Sequence, residues 1–246
     1  MTGRIFITGD KHGSLVPFFG LAQRNELTPA DILLIAGDAG YVWREHDSSP
    51  LTTLQQLFPG TVAFVDGNHE NHALLNSMEV QLWNGGRVHR VDERVYHLMR
   101  GELYSIDGTT IFTFGGARSV DVDRTETGSS WWKKAGTNWW PEEEPSSEEI
   151  AYGQRQLMQN LDRIDYVITH ETPLFARAFI ARSKEIDPDY HLPALFDAWY
   201  RLMEAAPRFK TWYFGHMHVD QSITPRLRAI HSNILPLGEE AALRWA

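Results

Sequence analysis

The stretch TWYFGHMHV, residues 211–219, ends an apolar run with two histidines one residue apart. In an extended chain the side chains at positions i and i+2 point to the same side, so His216 and His218 can face one small volume. That spacing suits two ligands of one metal centre. Two polar residues in a turn can have the same spacing, so a single H-x-H does not establish a metal site. The rest of the chain has to decide between these interpretations.

Four other short apolar runs are similar to the one that begins at residue 211. They lack the apolar-polar alternation of a half-exposed strand, which indicates strands covered on both faces of a sheet. Helix-like segments at about residues 16–26 and 51–58 separate the first three runs, and this β-α-β-α-β order predicts a parallel α/β core. The four runs are RIFITG from residue 4, DILLIAG from residue 31, TVAFVDG from residue 61 and DYVITH from residue 165.

A second sheet is predicted further along the chain. The stretch ELYSIDGTTIFTFGG, residues 102–116, places Asp107-Gly108 between two β-rich runs, which is the strongest short hairpin signal. Ser146 and Glu149 form a capping-box pattern that predicts a helix start. Another amphipathic helix is predicted over about residues 193–206. We therefore expect an α/β fold with two sheets, in a single domain over residues 1–246.

Composition limits the classes of function. Of the 246 residues, 23 are Lys or Arg and 32 are Asp or Glu, and the net charge of −9 disfavours a protein that neutralises the phosphates of duplex nucleic acid. The chain has no cysteine, so any metal site uses imidazole, carboxylate or amide ligands. The start lacks a signal-peptide pattern and no apolar run approaches the ~20 residues of a membrane span, so a cytoplasmic protein is expected.

Each of the five apolar runs ends in side chains that can bind metal. In an open α/β sheet, ligands bind beyond the carboxyl ends of the strands, so these side chains would meet from distant parts of the chain. Singly, each could be a helix cap, a turn residue or a buried histidine. Jointly they favour a metal centre, because turns do not require this order of residue types. The residues are Asp10 and His12 in GDKHG, Asp38 in GDAG, Asn68, His69 and Glu70 in GNHE, His170 in THETP, and His216 and His218 in GHMH.

The order D-x-H, GD, GNHE, H and GHxH, which spans residues 10–218, resembles that of the calcineurin-like metallophosphoesterase family. The resemblance implies a two-sheet α/β/β/α sandwich that hydrolyses a phosphate ester with a water activated by two divalent metal ions. Mixed nitrogen and oxygen ligands suit Mn²⁺, Fe or Zn²⁺, and the resemblance favours Mn²⁺. It also implies that Asp10, His12 and His218 hold the first ion, that Asn68, His170 and His216 hold the second, that Asp38 bridges both, and that His69 is catalytic.

The chain departs from the family pattern near the predicted bridging ligand. Many members carry an aspartate three residues after that ligand, where it orients the catalytic histidine, but this chain has Tyr41 in GDAGYVW. Glu45, Asp47 or another acid could take over that task. The protein Ser/Thr phosphatases of the family also have Arg-Gly and a substrate-binding arginine where this chain has residues 42–43, Val-Trp, and Asn71. Protein phosphatase activity is therefore not expected.

A tryptophan-rich insertion at about residues 117–145 is the segment predicted to govern substrate choice. Its tryptophans and basic residues could form a lid that stacks a nucleobase and contacts phosphates. Alternatively, the tryptophans only attach a glycine-rich insertion to the domain. The residues concerned are Trp131, Trp132, Trp139, Trp140, Lys133 and Lys134, with Arg118 and Arg124 as candidate substrate-binding residues.

Three functions remain open from the sequence. The leading hypothesis is a phosphoesterase acting on a small phosphomonoester or phosphodiester, such as a nucleotide. A nuclease of the same family would need a basic groove that the composition does not indicate. An inactive metal-bound interaction scaffold is disfavoured because the predicted ligands and His69 are intact. The sequence does not predict an oligomeric state. Four histidines match no motif and are expected to be structural, namely His72, His89, His97 and His231.

Overall fold

The computed structural model describes residues 3–24, 27–44, 49–119, 122, 133–181 and 189–239. In chain order the strands are β1 (Ile5–Thr8), β2 (Ile32–Ile35), β3 (Thr61–Val65), β4 (Val80–Trp83), β5 (Gly86–Asp92), β6 (Val95–Leu98), β7 (Leu103–Ile106), β8 (Thr109–Phe114), β9 (Tyr166–Thr169), β10 (Thr211–Phe214), β11 (Gln221–Thr224), β12 (Leu227–Ala229) and β13 (Leu235–Pro236). The helices are α1 (Val16–Arg24), α2 (Ser49–Leu57), α3 (His72–Asn76), α4 (Ser147–Gln159), α5 (Leu174–Ala181) and α6 (Leu192–Glu204), and a 3-10 turn spans Pro141–Glu143.

The first sheet has the order β13-β1-β2-β3-β6-β5-β4. Strands β1, β2, β3 and β6 are parallel, so the chain segments that follow β1, β2 and β3 all leave the sheet at the carboxyl ends of the strands. Strands β4 and β5 form a hairpin on the other side of β6, joined by Asn84 and Gly85 with φ of 49° and 92°. Those two positive φ angles match the type I′ turn that suits the twist of a hairpin.

The second sheet has the order β11-β12-β10-β9-β8-β7. Strands β12, β10, β9 and β8 are parallel, and β7 pairs with β8 in the hairpin that the sequence predicted. Asp107 and Gly108 connect the two strands with φ of 47° and 80°. The segments after β9 and β10 therefore leave this sheet side by side, in the same way as those after β1, β2 and β3.

Three hydrophobic clusters define the layers. Between the sheets lie side chains such as Ile7, Val65 and Ile168. The outer face of the first sheet packs on α1 and α2, and the outer face of the second sheet packs on α4, α5 and α6. The predicted α/β/β/α sandwich is confirmed by this arrangement. The predicted helix at 16–26 is observed as Val16–Arg24, while residues 25–26 lie outside the described part of the chain.

Residues 230–236, which we call the strap, carry the chain from the second sheet back to the first. Asp220 accepts hydrogen bonds from the backbone N–H groups of His231 and Ser232, at 2.9 and 3.0 Å. On the other side, Thr8 Oγ1 donates to the backbone oxygen of Asn233 at 2.8 Å. The strap ends in β13, which pairs antiparallel with β1. None of the helices in the described ranges has the length and apolar character needed to cross a membrane.

Candidate metal centre

The residues predicted to hold the first metal ion come together at the carboxyl ends of the strands. Asp10, His12, Asp38 and His218 each offer one ligand atom, and these atoms lie within 4.8 Å of one another. The Nε2 atoms of His12 and His218 are 3.2 Å apart, and His218 Nε2 lies 3.4 Å from Asp10 Oδ1. Two facing imidazole nitrogens beside a carboxylate are the arrangement that a divalent cation needs.

The residues predicted for the second ion lie next to the first group. His170 Nε2 is 3.2 Å from Asn68 Oδ1 and 3.5 Å from Asp38 Oδ2. The rings of His170 and His216 have their centroids 5.1 Å apart. The structure thus brings all seven candidate ligands into one place, with Asp38 in contact with both groups.

Five of these seven residues adopt a backbone conformation that costs free energy. Their φ angles lie between 48° and 63°, in the left-handed region that residues other than glycine rarely enter. Each such residue costs on the order of 1–3 kcal/mol, and such residues cluster at functional sites. The conformation turns the chain sharply as it leaves each strand. The five residues are Asp10, His12, Asp38, His216 and His218.

Three glycines let the backbone approach the candidate ligands closely. A methyl group at Gly37 would lie 2.2 Å from His170 Nδ1, and one at Gly67 would lie 2.1 Å from Asp38 Oδ1. One at Gly215 would lie 2.7 Å from Asp10 Oδ2. Real Cβ contacts do not come so close, so these positions require glycine for the ligands to keep their places.

Hydrogen bonds to the chain orient several candidate ligands. His170 Nδ1 donates to the backbone oxygen of Ala36 at 2.9 Å, which leaves Nε2 as the ring nitrogen that can bind a metal. The amide nitrogen of Asn68 donates to Ser119 Oγ at 3.1 Å, and Ser119 Oγ donates in turn to Glu143 Oε2 at 2.6 Å. These two hydrogen bonds in series direct the amide oxygen of Asn68 towards His170. Such outer partners fix ligand orientation in metal sites generally.

The electrostatics of the centre suit a cation. Asp38 Oδ2 is buried and accepts no hydrogen bond from the described residues. Burial alone would raise the pKa of Asp38, but His170 and the neighbouring histidines hold it well below its usual range. Burial alone would lower the pKa of His170, but Asp38 raises it to about 10. Both shifts show that the site attracts positive charge, and a metal ion would replace the proton on His170. The residues present therefore fit divalent metal ions.

His69, the predicted catalytic residue, lies beside the centre. Its backbone N–H donates to Asp38 Oδ1 at 2.7 Å, and its ring centroid is 5.3 Å from that of His12. Burial first, and the charge of Lys133 as well, lower the pKa of His69 to about 4, against the opposing effect of Asp38. The imidazole of His69 is therefore neutral at neutral pH. Its Nδ1 lies 3.2 Å from Lys133 Nζ, a contact that the sequence did not predict.

The residues that depart from the family pattern serve the fold. Tyr41 is buried, and its hydroxyl donates to the backbone oxygen of Ser14 at 2.9 Å. Asn71 caps α3 by accepting from the N–H of Leu74 at 3.0 Å, and its amide donates to the backbone oxygen of Trp43 at 2.9 Å. Glu45 and Asp47, named as substitutes for the missing aspartate, lie outside the described residues.

The candidate substrate-binding residues are only partly described. The guanidinium of Arg118 forms two hydrogen bonds with Glu144, at 2.8 and 2.6 Å, and lies over the ring of Tyr190. A phosphate would have to compete with Glu144 for Arg118. Arg124 lies outside the described residues, as do Trp131 and Trp132. Trp139 and Trp140 are buried, as the packing alternative for the insertion requires.

Two polar groups near the centre were missed by the sequence reasoning. Glu171 is fully buried, accepts from Arg177 Nη1 at 2.8 Å and from the hydroxyl of Tyr190 at 2.8 Å, and lies 3.7 Å from His216 Nε2. His231, which was expected to be structural, stacks on His218 with centroids 4.8 Å apart. Its Nδ1 lies 4.0 Å from Asp10 Oδ2. The position of Glu171 directly after His170 was the available signal for the first of these groups.

The other three histidines without a motif line a cavity of about 310 Å³. His97 Nε2 lies 3.1 Å from Asp66 Oδ1, and the Nδ1 atoms of His97 and His89 are 3.0 Å apart. Arg100 pairs with Asp66 on its other side. His72 Nε2 lies 3.1 Å from the backbone oxygen of Gly67. These internal partners are in keeping with the structural role expected for the three histidines.

Comparison with known proteins agrees with this geometry. The family model for calcineurin-like phosphoesterases matches residues 3–220, nearly the whole chain. The chain belongs to that family. It is accordingly a hydrolase that acts on phosphate ester bonds and uses divalent metal ions. A search of curated proteins found no match.

Proposed function

We propose that the protein hydrolyses a small phosphomonoester or phosphodiester, such as a nucleotide, at a centre of two divalent metal ions. The position of Asp38 carries this proposal. Its Oδ2 lies 3.7 Å from His12 Nε2 on one side and 3.5 Å from His170 Nε2 on the other, so one carboxylate serves both ligand groups. A carboxylate shared in this way is what a dinuclear site requires.

The candidate site residues divide into four roles. Asp10, His12 and His218 would hold one ion, Asn68, His170 and His216 would hold the other, and Asp38 would bridge them. When bound, two such ions lower the pKa of a shared water and polarise the phosphoryl oxygens. His69 assists the leaving oxygen by supplying a proton or a hydrogen bond. The nitrogen and oxygen ligands accept Mn²⁺, Fe or Zn²⁺, and we propose Mn²⁺.

The net charge of −9 supports a small substrate. Duplex nucleic acid would need several phosphate contacts from basic side chains, which an acidic protein supplies poorly. Among the described cations near the centre, Lys133 lies beside His69, Arg118 is paired with Glu144 and Arg177 is paired with Glu171. These few cations match the negative charge of one small phosphate ester better than the many phosphates of a nucleic-acid backbone.

Hydrolysis of p-nitrophenyl phosphate and bis-p-nitrophenyl phosphate by metal-stripped protein refilled with Mn²⁺ tests the proposal. Asp38→Ala should abolish both activities, because it removes the shared ligand. Asp162→Ala, which changes an exposed aspartate outside the centre, should leave both unchanged. Faster cleavage of the diester would indicate a phosphodiesterase, and cleavage of the monoester alone would indicate a phosphatase. Two bound Mn²⁺ ions per wild-type chain with neither ester cleaved would contradict the enzymatic proposal.

A further inference from the structure

Lys133 and Lys134 are adjacent in sequence but lie in opposite surroundings. Lys134 is exposed, whereas Lys133 is only 3% exposed and its Nζ lies 3.2 Å from Nδ1 of His69. Burial of a lysine has a cost that a specific partner must offset. Of the two lysines, therefore, only Lys133 is buried against His69, the predicted catalytic histidine.

A lysine ammonium has three N–H donors and no acceptor, so His69 Nδ1 has to be the acceptor of this hydrogen bond. The single ring proton of a neutral histidine then lies on Nε2. An aspartate, which orients this histidine in many family members, accepts a hydrogen bond and places the proton on Nδ1 instead. In this chain Tyr41 stands at the aspartate's position, and its hydroxyl donates to the backbone oxygen of Ser14. Lys133 therefore reverses the tautomer that an aspartate would select.

The segment around Lys133 is anchored by packing. Ala135 and Trp139 form an isolated β-bridge, and Gly136 donates its backbone N–H to the oxygen of Trp139 at 2.9 Å. Trp140 is buried against Trp43, with ring centroids 5.9 Å apart. Two buried tryptophans thus fix the turn that follows Lys133. This part of the insertion therefore holds a side chain against His69.

We propose that Lys133 is a positioning residue, which acts through His69 by holding it as a neutral Nε2–H donor to the leaving oxygen of the ester. This inference rests on the proposed function. As water attacks and the bond from phosphorus to the leaving oxygen breaks, the electron pair stays on that oxygen. The Nε2–H hydrogen bond stabilises the developing negative charge, and solvent then supplies the proton. A neutral imidazole can act in this way without giving up its own proton.

The kinetic test compares two esters that differ in their leaving group, with Mn²⁺-loaded full-length protein. Phenyl phosphate develops more charge on its leaving oxygen than p-nitrophenyl phosphate, so it depends more on a hydrogen bond there. Lys133→Met should lower turnover of phenyl phosphate on the order of 10²-fold and turnover of p-nitrophenyl phosphate by less than about tenfold. Lys133→Arg, which also can only donate, should restore much of the loss. Lys134→Met is the matched control and should behave as wild type.

The second test reads the tautomer directly, by nitrogen NMR of histidine-labelled protein loaded with diamagnetic Zn²⁺, with His69→Asn identifying the signals. Wild type should show His69 protonated on Nε2, and Lys133→Met should lose that preference while keeping its melting temperature within a few degrees. An Nδ1–H tautomer in wild type, or equal losses on both esters with the tautomer unchanged, would overturn the proposal. The two failures are distinguishable, because inactivity of wild type on these monoesters and on bis-p-nitrophenyl phosphate contradicts the phosphoesterase proposal, while the NMR signals still report on Lys133.

Discussion

Gly67 shows how closely the candidate centre depends on single atoms. Its missing side chain leaves the space that Asp38 Oδ1 occupies, only 2.1 Å from where a methyl group would be. Asp38 in turn accepts from the backbone N–H of His69 at 2.7 Å. A side chain at Gly67 would therefore displace Asp38, a candidate ligand, and with it the contact that Asp38 makes with His69, the candidate catalytic residue.

Gly67→Ala should displace Asp38 and weaken metal binding by about 10–100-fold, the effect usual for a lost orienting contact. Metal analysis after dialysis against Mn²⁺ measures this directly. Gly85→Ala is the control, because it adds a methyl group in open space at a φ of 92°, so it strains the chain without touching the centre. Retention of two Mn²⁺ ions by Gly67→Ala would show that Asp38 does not need its present position.

His72 makes the stability of the protein depend on pH. Burial lowers its pKa from the usual 6.5 to about 4, against the opposing effect of Asp66. Between these two values the unfolded chain binds a proton that the folded chain does not. The contribution of His72 to the free energy of unfolding, about 3 kcal/mol, is therefore fully present above pH 6.5 and is lost as the pH falls towards 4.

Urea unfolding at pH 7.5 and pH 4.5 tests this expectation. His72→Gln should be less sensitive to acid than wild type, whatever its stability at pH 7.5. His191→Gln, a change at an exposed histidine, is the matched control and should keep the wild-type difference between the two pH values. An unchanged difference in His72→Gln would mean that other groups cause the acid sensitivity.

The candidate ligands could be predicted from the sequence because each is a residue of distinctive type at the end of an apolar run. Lys133 and Glu171 could not be predicted in the same way. Lys133 reaches His69 only through a turn that two buried tryptophans hold, and no spacing in the sequence encodes that contact. Glu171 is buried by Arg177 and Tyr190, which come from segments whose packing is settled only in the fold.

Helix α4 begins with a complete capping box. Ser146 Oγ accepts from the N–H of Glu149 at 3.2 Å, and Glu149 Oε2 accepts from the N–H of Ser146 at 2.8 Å. The same carboxylate pairs with the buried Arg100 at 3.1 Å, so the helix start is tied to the first sheet. The cap therefore stabilises both the helix and its attachment.

Ser146→Ala should lower the free energy of unfolding by about 1 kcal/mol, because one N–H at the helix start loses its partner. Ser147→Ala, one residue further on and exposed, should change it by less than about 0.5 kcal/mol. Urea denaturation of the two variants and wild type makes the comparison. Equal effects would show that the cap contributes nothing beyond exposed-surface changes.

Secondary structure was predictable where local signals and burial agree. Asp107-Gly108 correctly predicted the hairpin of β7 and β8. The same kind of signal at Asn84-Gly85 marks the hairpin of β4 and β5, which was not predicted. Helical periodicity was less informative at the margins of a buried face. Met158 of α4 and Leu202 of α6 are apolar residues of amphipathic helices but are 54% and 40% exposed, because periodicity does not indicate where the neighbouring element stops.

The seven candidate ligands come from both sheets. Asp10, Asp38 and Asn68 follow strands of the first sheet, and the candidate histidines after β9 and β10 follow strands of the second. Bound metal ions would therefore link the two sheets, and they would stabilise the folded state over the unfolded chain by mass action.

Mn²⁺ at about 100 times its dissociation constant should stabilise the protein by about 2.7 kcal/mol, which raises Tm by about 5–10 °C for a chain of this size. Scanning calorimetry with Mn²⁺ and after EDTA treatment measures the shift. Asp38→Ala should show little of it. A Tm that EDTA does not alter would argue against metal ions joining the two sheets.

The strap has a consequence for how the protein is made. Strand β1 leaves the ribosome before the other described strands, yet its outer neighbour β13 is the last of them. Until the strap emerges, one side of β1 presents unpaired backbone groups, and exposed strand edges invite pairing with other chains. N-terminal segments otherwise tend to fold during synthesis. The first sheet is therefore completed only late in translation, and we expect the unpaired side of β1 to be open to pairing with other chains until then.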